Sequence, residues 1–179
     1  MNKNLLIYIC QILLCVAFIQ PALAMEEAKS RYVTLQYNDK RILREFNDKL
    51  IIGRKLSAMM RKKNVETVED EVLAKVDLIV EKIQVVLDMF PKKIHFTLVL
   101  LPDEDDVAEM YKQKYGKHQN NVAYYSLSEK TIYISVDDTK LRILAHEMGH
   151  GIADLYFEVR PPYKIHELMA QFAEKHVTD

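Results

Sequence analysis

Two helical patterns separated by a double proline occupy the C-terminal end of the chain, and they limit how it can fold. Residues 141–158, LRILAHEMGHGIADLYFE, put Leu141, Leu144, Ala145, Met148 and Ile152 on one broad apolar face. Arg160-Pro161-Pro162 then breaks the helix, because proline lacks the N–H and clashes with the preceding turn. YKIHELMAQFAEKH (163–176) resumes the helical period, with Ile165, Leu168, Met169 and Phe172 apolar. A second helix after so short a loop folds back, and its early turns then lie beside the middle of the first.

Upstream, the chain alternates between strand and helix patterns. RYVTLQY (31–37) reads as a strand, and 38–60 as a helix capped by Asn38 with an interruption at Gly53. Residues 65–90 carry a long apolar stripe, with Thr67 and Asp70 as a cap and Pro91 closing the helix. KKIHFTLVLL (92–101) reads as a buried strand and 103–116 as a helix ending at Gly116. NVAYYSL (121–127) and KTIYISV (130–136) form a hairpin around Ser128-Glu129, and Asp137-Asp138 stand where the next helix would begin. Four glycines are too few for an all-β domain. The expectation is one α+β domain over 25–179, with a small mixed β-sheet packed with helices.

Residues 1–24, MNKNLLIYICQILLCVAFIQPALA, have a basic start, an apolar run and Ala22-Leu23-Ala24, the small-x-small pattern of a cleaved signal peptide. An uncleaved anchor is the alternative. Cys10 and Cys15 both lie in this segment, so residues 25–179 offer neither a disulfide nor a thiolate metal ligand. Loss of Lys3 with the leader leaves a net charge of −2, with both signs interspersed. No basic stripe tracks phosphates, which argues against nucleic acid. The reading is an exported protein, periplasmic or secreted from a bacterial-type cell, with no membrane partner after cleavage; the pattern does not encode an oligomeric state.

Within the first C-terminal helix stands His146-Glu147-Met148-Gly149-His150. Residues four apart share a helix face, so the two imidazoles can meet one cation while Glu147 reaches a water beside it. Random order of this composition gives H-E-x-x-H with odds of about 1.5 per cent, which weighs against accident. Gly149 costs helix stability and suggests a close neighbour. A catalytic zinc needs a third protein ligand. Ala153 and Tyr156 exclude a third histidine continuing from His150. Glu167, an acid among apolar neighbours at 165, 168 and 169, is the leading candidate, because a dication would offset the cost of burying it. Glu158 and Glu174 are weaker rivals.

A-H-E-M-G-H-G (145–151) followed by E-L-M-A-Q-F (167–172) resembles the gluzincin branch of zinc metallopeptidases, the peptidase MA-like domains, over about residues 92–176. The resemblance implies a zincin-like fold whose active-site helix is followed by a C-terminal helix bearing the third ligand. It implies Zn2+ held by His146, His150 and Glu167, with Glu147 as general base, Ala170 as a small packing residue and Phe172 as the aromatic. The hairpin at 121–136 matches the family's cleft-lining strands. Where many members have an aspartate orienting a histidine, this chain has Gln171, and Asp154 is a substitute. Tyr163 and His166, with Tyr156 and Arg160, are candidates for stabilising an oxyanion; His95 and His118 receive no role. The expected activity is hydrolysis of peptide bonds in a peptide or protein substrate, by a zinc metalloprotease. The alternatives are a zinc-binding zincin-fold scaffold with little proteolysis, expected if the cleft has a single wall, and a metal-free helical adaptor.

Overall fold

The computed structural model describes residues 25–61 and 63–179. The expected signal peptide, 1–24, lies outside the described residues, among which no helix is long and apolar enough to cross a membrane. The described chain is an α+β fold of five strands and six helices: β1 (Glu26–Lys29), β2 (Val33–Tyr37), α1 (Lys40–Lys49), α2 (Gly53–Met60), α3 (Val68–Leu87), β3 (Phe96–Leu101), α4 (Glu104–Tyr115), β4 (Ala123–Ser126), β5 (Thr131–Ser135), α5 (Leu141–Tyr156) and α6 (Tyr163–His176).

The strands form one mixed sheet in the order β1-β2-β3-β5-β4. β2, β3 and β5 run parallel, and β1 and β4 pair antiparallel at the two ends. Period-two alternation sorts side chains between two layers. Phe96, Leu98 and Leu100 of β3, with Ile132 and Ile134 of β5, enter the main core beneath α1, α3 and α5. Val99, Tyr124 and Tyr133 point the other way, into a smaller cluster with Val107 of α4. α4 therefore covers one face of the sheet, and α5 lies on the other beside the edge strand β4.

Several boundaries differ from the sequence reading. β1 was not foreseen, since Glu-Glu-Ala-Lys carries no alternation; it is a short, exposed edge paired to β2. The helix expected over 38–60 is two helices. Asp39, not Asn38, caps α1 by accepting from the Arg41 N–H, and α1 ends at Lys49 with Leu50 as its C-cap. α2 starts at Gly53, whose φ of +75° suits glycine. Thr67 and Asp70 do form a reciprocal capping box on α3, but α3 closes on Asp88 in a left-handed conformation, before Pro91. Asp137 and Asp138 do not start a helix: Asp137 accepts from Lys49 Nζ at 2.8 Å and Asp138 from Ser135 Oγ at 2.7 Å. α5 begins later, at Leu141, with no side-chain cap.

The face of α6 also differs. Its inward residues are His166, Ala170 and Ala173, whereas Ile165, Leu168 and Phe172 are 47%, 59% and 48% exposed. The cause is the crossing with α5. A Cβ at Gly149 would stand 3.0 Å from Ala170 Cα and 3.0 Å from Ala173 Cβ, so the helices meet nearly backbone to backbone. Large side chains cannot occupy that seam, and they turn outward over α3 residues Val86 and Leu87.

This contact sets the distance between the two C-terminal helices. Gly149→Val is expected to lower the free energy of unfolding by about 1–3 kcal/mol through overpacking, against a helix-propensity gain of only a few tenths of a kcal/mol. Thermal or denaturant unfolding of the variant checks this; undiminished stability would mean that the seam is slack.

Candidate metal centre

α5 buries Leu141, Leu144, Ala145, Met148 and Ile152 and leaves His146, Glu147 and His150 half-buried on the border of that stripe. The seam at Gly149 brings the first turns of α6 against this border. Glu167 Oε1 then lies 3.6 Å from His146 Nε2, and its Oε2 lies 3.4 Å from His150 Nε2. One donor atom from each of the three side chains falls within 4.8 Å of the others. Donors held by a tetrahedral ion at zinc–nitrogen and zinc–oxygen distances stand about 3.3–3.6 Å apart. The cluster could therefore hold a divalent ion with little adjustment.

The remote ring nitrogens bear on the same point. An imidazole binds a metal through one nitrogen only when the other carries the proton, and that N–H needs an acceptor. His146 Nδ1 lies 3.1 Å from Glu174 Oε2, which can accept from it. His150 Nδ1 lies 2.8 Å from His166 Nδ1, with the two rings stacked 5.0 Å apart. When His150 Nδ1–H donates to His166, the Nε2 lone pair of His150 is free on the side of Glu167. Both histidines thus have a partner behind them and Glu167 in front. The donor set, two imidazoles and a carboxylate, is of the kind zinc takes in open sites.

Burial governs the charges. It holds the His150 imidazole neutral down to about 3, with His146, His166 and Arg160 acting in the same direction. His166 is lowered too, chiefly by burial. The same desolvation pushes the Glu147 carboxyl up to about 7, opposed by the His146 ring and by a hydrogen bond from the Tyr125 backbone, and reinforced by Glu167 and Glu174. A neutral ligand beside a carboxyl that titrates near neutrality can coordinate a cation and exchange a proton with water.

Around the cluster runs an open groove of about 650 Å3. His146, Glu147, His150 and Glu167 line it together with Arg160 and Tyr163, and it continues along β4 to Tyr111 and Tyr115 of α4.

The other candidates from the sequence fall in distinct places. Tyr163 is on the groove wall and largely exposed. His166 is buried behind His150 and does not line the groove, so it supports a ring rather than meeting an oxyanion. Gln171 does not orient a histidine: its Nε2 donates to Glu167 Oε1 at 3.1 Å. Asp154 does not substitute for it either, because it accepts from the Tyr125 hydroxyl at 3.0 Å. Glu174, weighed only as a rival ligand, takes the place behind His146. Its signal was a spacing: seven residues after Glu167 is two turns on the same helix face. Tyr156 and Glu158 are exposed near the end of α5, away from the groove. Tyr125, which ties β4 to α5, was not singled out from the sequence; nothing but its place in the hairpin pointed to it.

These shifts fix how the metal-free protein responds to acid. Between about 3 and His150's ordinary value of 6.5, the unfolded chain takes a proton that the folded protein refuses, so stability rises with pH across that window. Glu147 acts oppositely: between 4.5 and about 7 the folded protein keeps a proton that the unfolded chain releases, so stability falls with rising pH. Melting temperatures measured on metal-free protein from pH 3 to 7 should climb less steeply for His150→Gln than for the wild type. For Glu147→Gln they should climb further above pH 4.5. Identical profiles in all three would contradict the burial of these groups.

Comparison with protein-family models, with curated proteins and with solved structures gives no match.

Proposed function

We propose that the chain is an exported zinc metallopeptidase of zincin-like fold, which hydrolyses peptide bonds with Glu147 as general base. The observation that carries the reading is the approach of Glu167 to both imidazoles, 3.6 and 3.4 Å from their Nε2 atoms, on a helix that the sequence alone placed opposite them. The half-buried Glu147 beside an open groove, and an antiparallel edge strand along the same groove, support it further. Export rests on the leader pattern of residues 1–24.

His146, His150 and Glu167 would hold the ion. Zinc so bound supplies Lewis acidity, making water more acidic and a carbonyl more electrophilic. The chain's own residues do the rest. Glu147 takes the proton from the attacking water as its oxygen bonds to the carbonyl carbon. The C–N bond then breaks, and Glu147 returns the proton to the leaving amine; the new carboxyl group gives its own proton to that amine, leaving a carboxylate and an ammonium. A carboxyl pushed up by burial suits both halves of that exchange, because its proton affinity lies near that of the medium. Arg160 and Tyr163, which line the groove, are the proposed donors to the oxygen that gains charge. With Nδ1–H of each ring donating to them, Glu174 and His166 would hold the two imidazoles in the ligating tautomer.

Cleavage of a peptide library by zinc-loaded protein tests the reading. Glu147→Gln should bind zinc as tightly as the wild type and cleave about 10²–10⁴-fold more slowly, the usual contribution of a general base. Cleavage undiminished in that variant would remove Glu147 from the chemistry. Zinc binding by the wild type without cleavage of any peptide would make the protein a binding scaffold.

A further inference from the structure

The groove does not stop at the metal cluster, and its far end has a different chemistry. In the sheet order β4 is terminal and, among the described residues, pairs only with β5, so no strand covers its other backbone edge, where the Tyr125 backbone meets the Glu147 carboxyl. The Ser135 N–H donates to Val122 C=O at 2.8 Å, which fixes the phase of the ladder. Val122, Tyr124 and Ser126 turn their backbone groups towards β5, and Ala123 and Tyr125 turn theirs outward, along the groove. The side chains of β4 straddle the sheet. Tyr125 packs with Phe96 and reaches Asp154 on the α5 side. Tyr124 stacks on Tyr133 and meets Tyr111 on the α4 side.

On the α4 side the groove is walled by tyrosine. The Tyr111 and Tyr115 rings lie 4.7 Å apart, and Tyr111 stands edge-on to Tyr124 at 5.0 Å. The Tyr115 hydroxyl hydrogen-bonds that of Ser126 at 2.8 Å, which pins the wall to the edge strand. Tyr115 and Leu127 nevertheless keep much of their apolar surface in solvent. Among the described residues, every charged or imidazole group lining the groove, including Arg160, belongs to α5, α6 or the loop between them, and the α4 end has tyrosines, leucine, asparagines and glutamine beside the strand. A charged side chain entering there would lose hydration with no charged group on the groove lining to meet it, since Lys114 and Glu129 behind the tyrosines pair with each other, whereas a large apolar one would gain contact with rings already held in place.

We propose that Tyr111, Tyr115 and Leu127 form a side-chain subsite selecting a large apolar or aromatic residue next to the bond that the metal centre cuts. The proposal rests on the peptidase reading above. An extended segment lying along β4 shows successive side chains to opposite faces, as β4 itself does. Of the two residues that flank the reactive bond, one therefore faces the α5 side and the other faces the tyrosine wall. Specificity at that second position comes from α4.

The test uses extended peptides that differ only at the two flanking positions, with Phe, Leu, Ala or Asp at each. Zinc-loaded wild type should prefer Phe or Leu over Ala at one of the two by about 10- to 100-fold in kcat/KM, and should discriminate further against Asp. Tyr115→Ala should bring the Phe-to-Ala ratio close to unity, and Tyr115→Phe, which keeps the ring, should retain it. Circular dichroism establishes that both variants are folded. The same peptides are titrated into zinc-loaded Glu147→Gln protein, with anisotropy of a labelled end as readout. Peptides bound with the aromatic preference but cut by neither protein would leave the subsite standing and end the peptidase reading. Cleavage without preference, a preference unchanged in Tyr115→Ala, or no binding of any peptide would each overturn the subsite.

Discussion

At Gly149 helices α5 and α6 approach so closely that a single methyl group on that residue would meet a backbone carbon at 3.0 Å. The rest of the centre depends on this contact. It turns Ala170 and Ala173 inward, and by the helical repeat it places Glu167 before the two imidazoles, Glu174 behind His146 and His166 behind His150. The glycine that weakens α5 as a helix is thus the residue that lets α6 deliver its carboxylates. A second glycine serves the other side of the same helix: a Cβ at Gly151 would stand 2.5 Å from the Phe96 ring, so α5 sits hard against β3 as well.

The electrostatics follow from that packing. Seated between the sheet and α6, His150 loses hydration and stays neutral, and Glu147 loses enough to hold its proton towards pH 7. A neutral imidazole suits a cation, and a carboxyl of raised proton affinity suits exchange with water. The carboxylates of Glu167 and Glu174 remain partly in solvent, which limits the cost of keeping two acids near one another. The same layering shapes the groove, with charge at the helical end, aromatic carbon at the α4 end and an open strand edge between them.

Much of the centre was legible because its spacing is local. His146 and His150 share a face by helical geometry alone, and the double proline required α6 to return. The face that α6 presents was not legible. Periodicity assigns the core to the largest apolar residues, Ile165, Leu168 and Phe172, but the seam at Gly149 admits only small ones, and the large ones lie outside. That the carboxylate behind His146 is Glu174, while Gln171 turns to Glu167, follows from how α6 is rotated, which depends on packing between elements. In the fold, strands with alternating hydrophobicity were found, whereas β1, four mostly polar residues held by pairing to β2, left no trace in the pattern. Helix starts went astray where aspartates had other partners: Asp137 reaches Lys49 across the fold, a contact of long sequence separation.

The central claim is that two imidazoles and one carboxylate hold the same ion. X-ray absorption at the zinc edge, on protein carrying one equivalent of zinc, reads this directly. The account predicts about four nitrogen or oxygen neighbours at about 2.0–2.2 Å, the outer-ring scattering of two imidazoles, and loss of part of that scattering in His150→Ala. A six-oxygen shell without imidazole scattering, or a spectrum unchanged in His150→Ala, would contradict it.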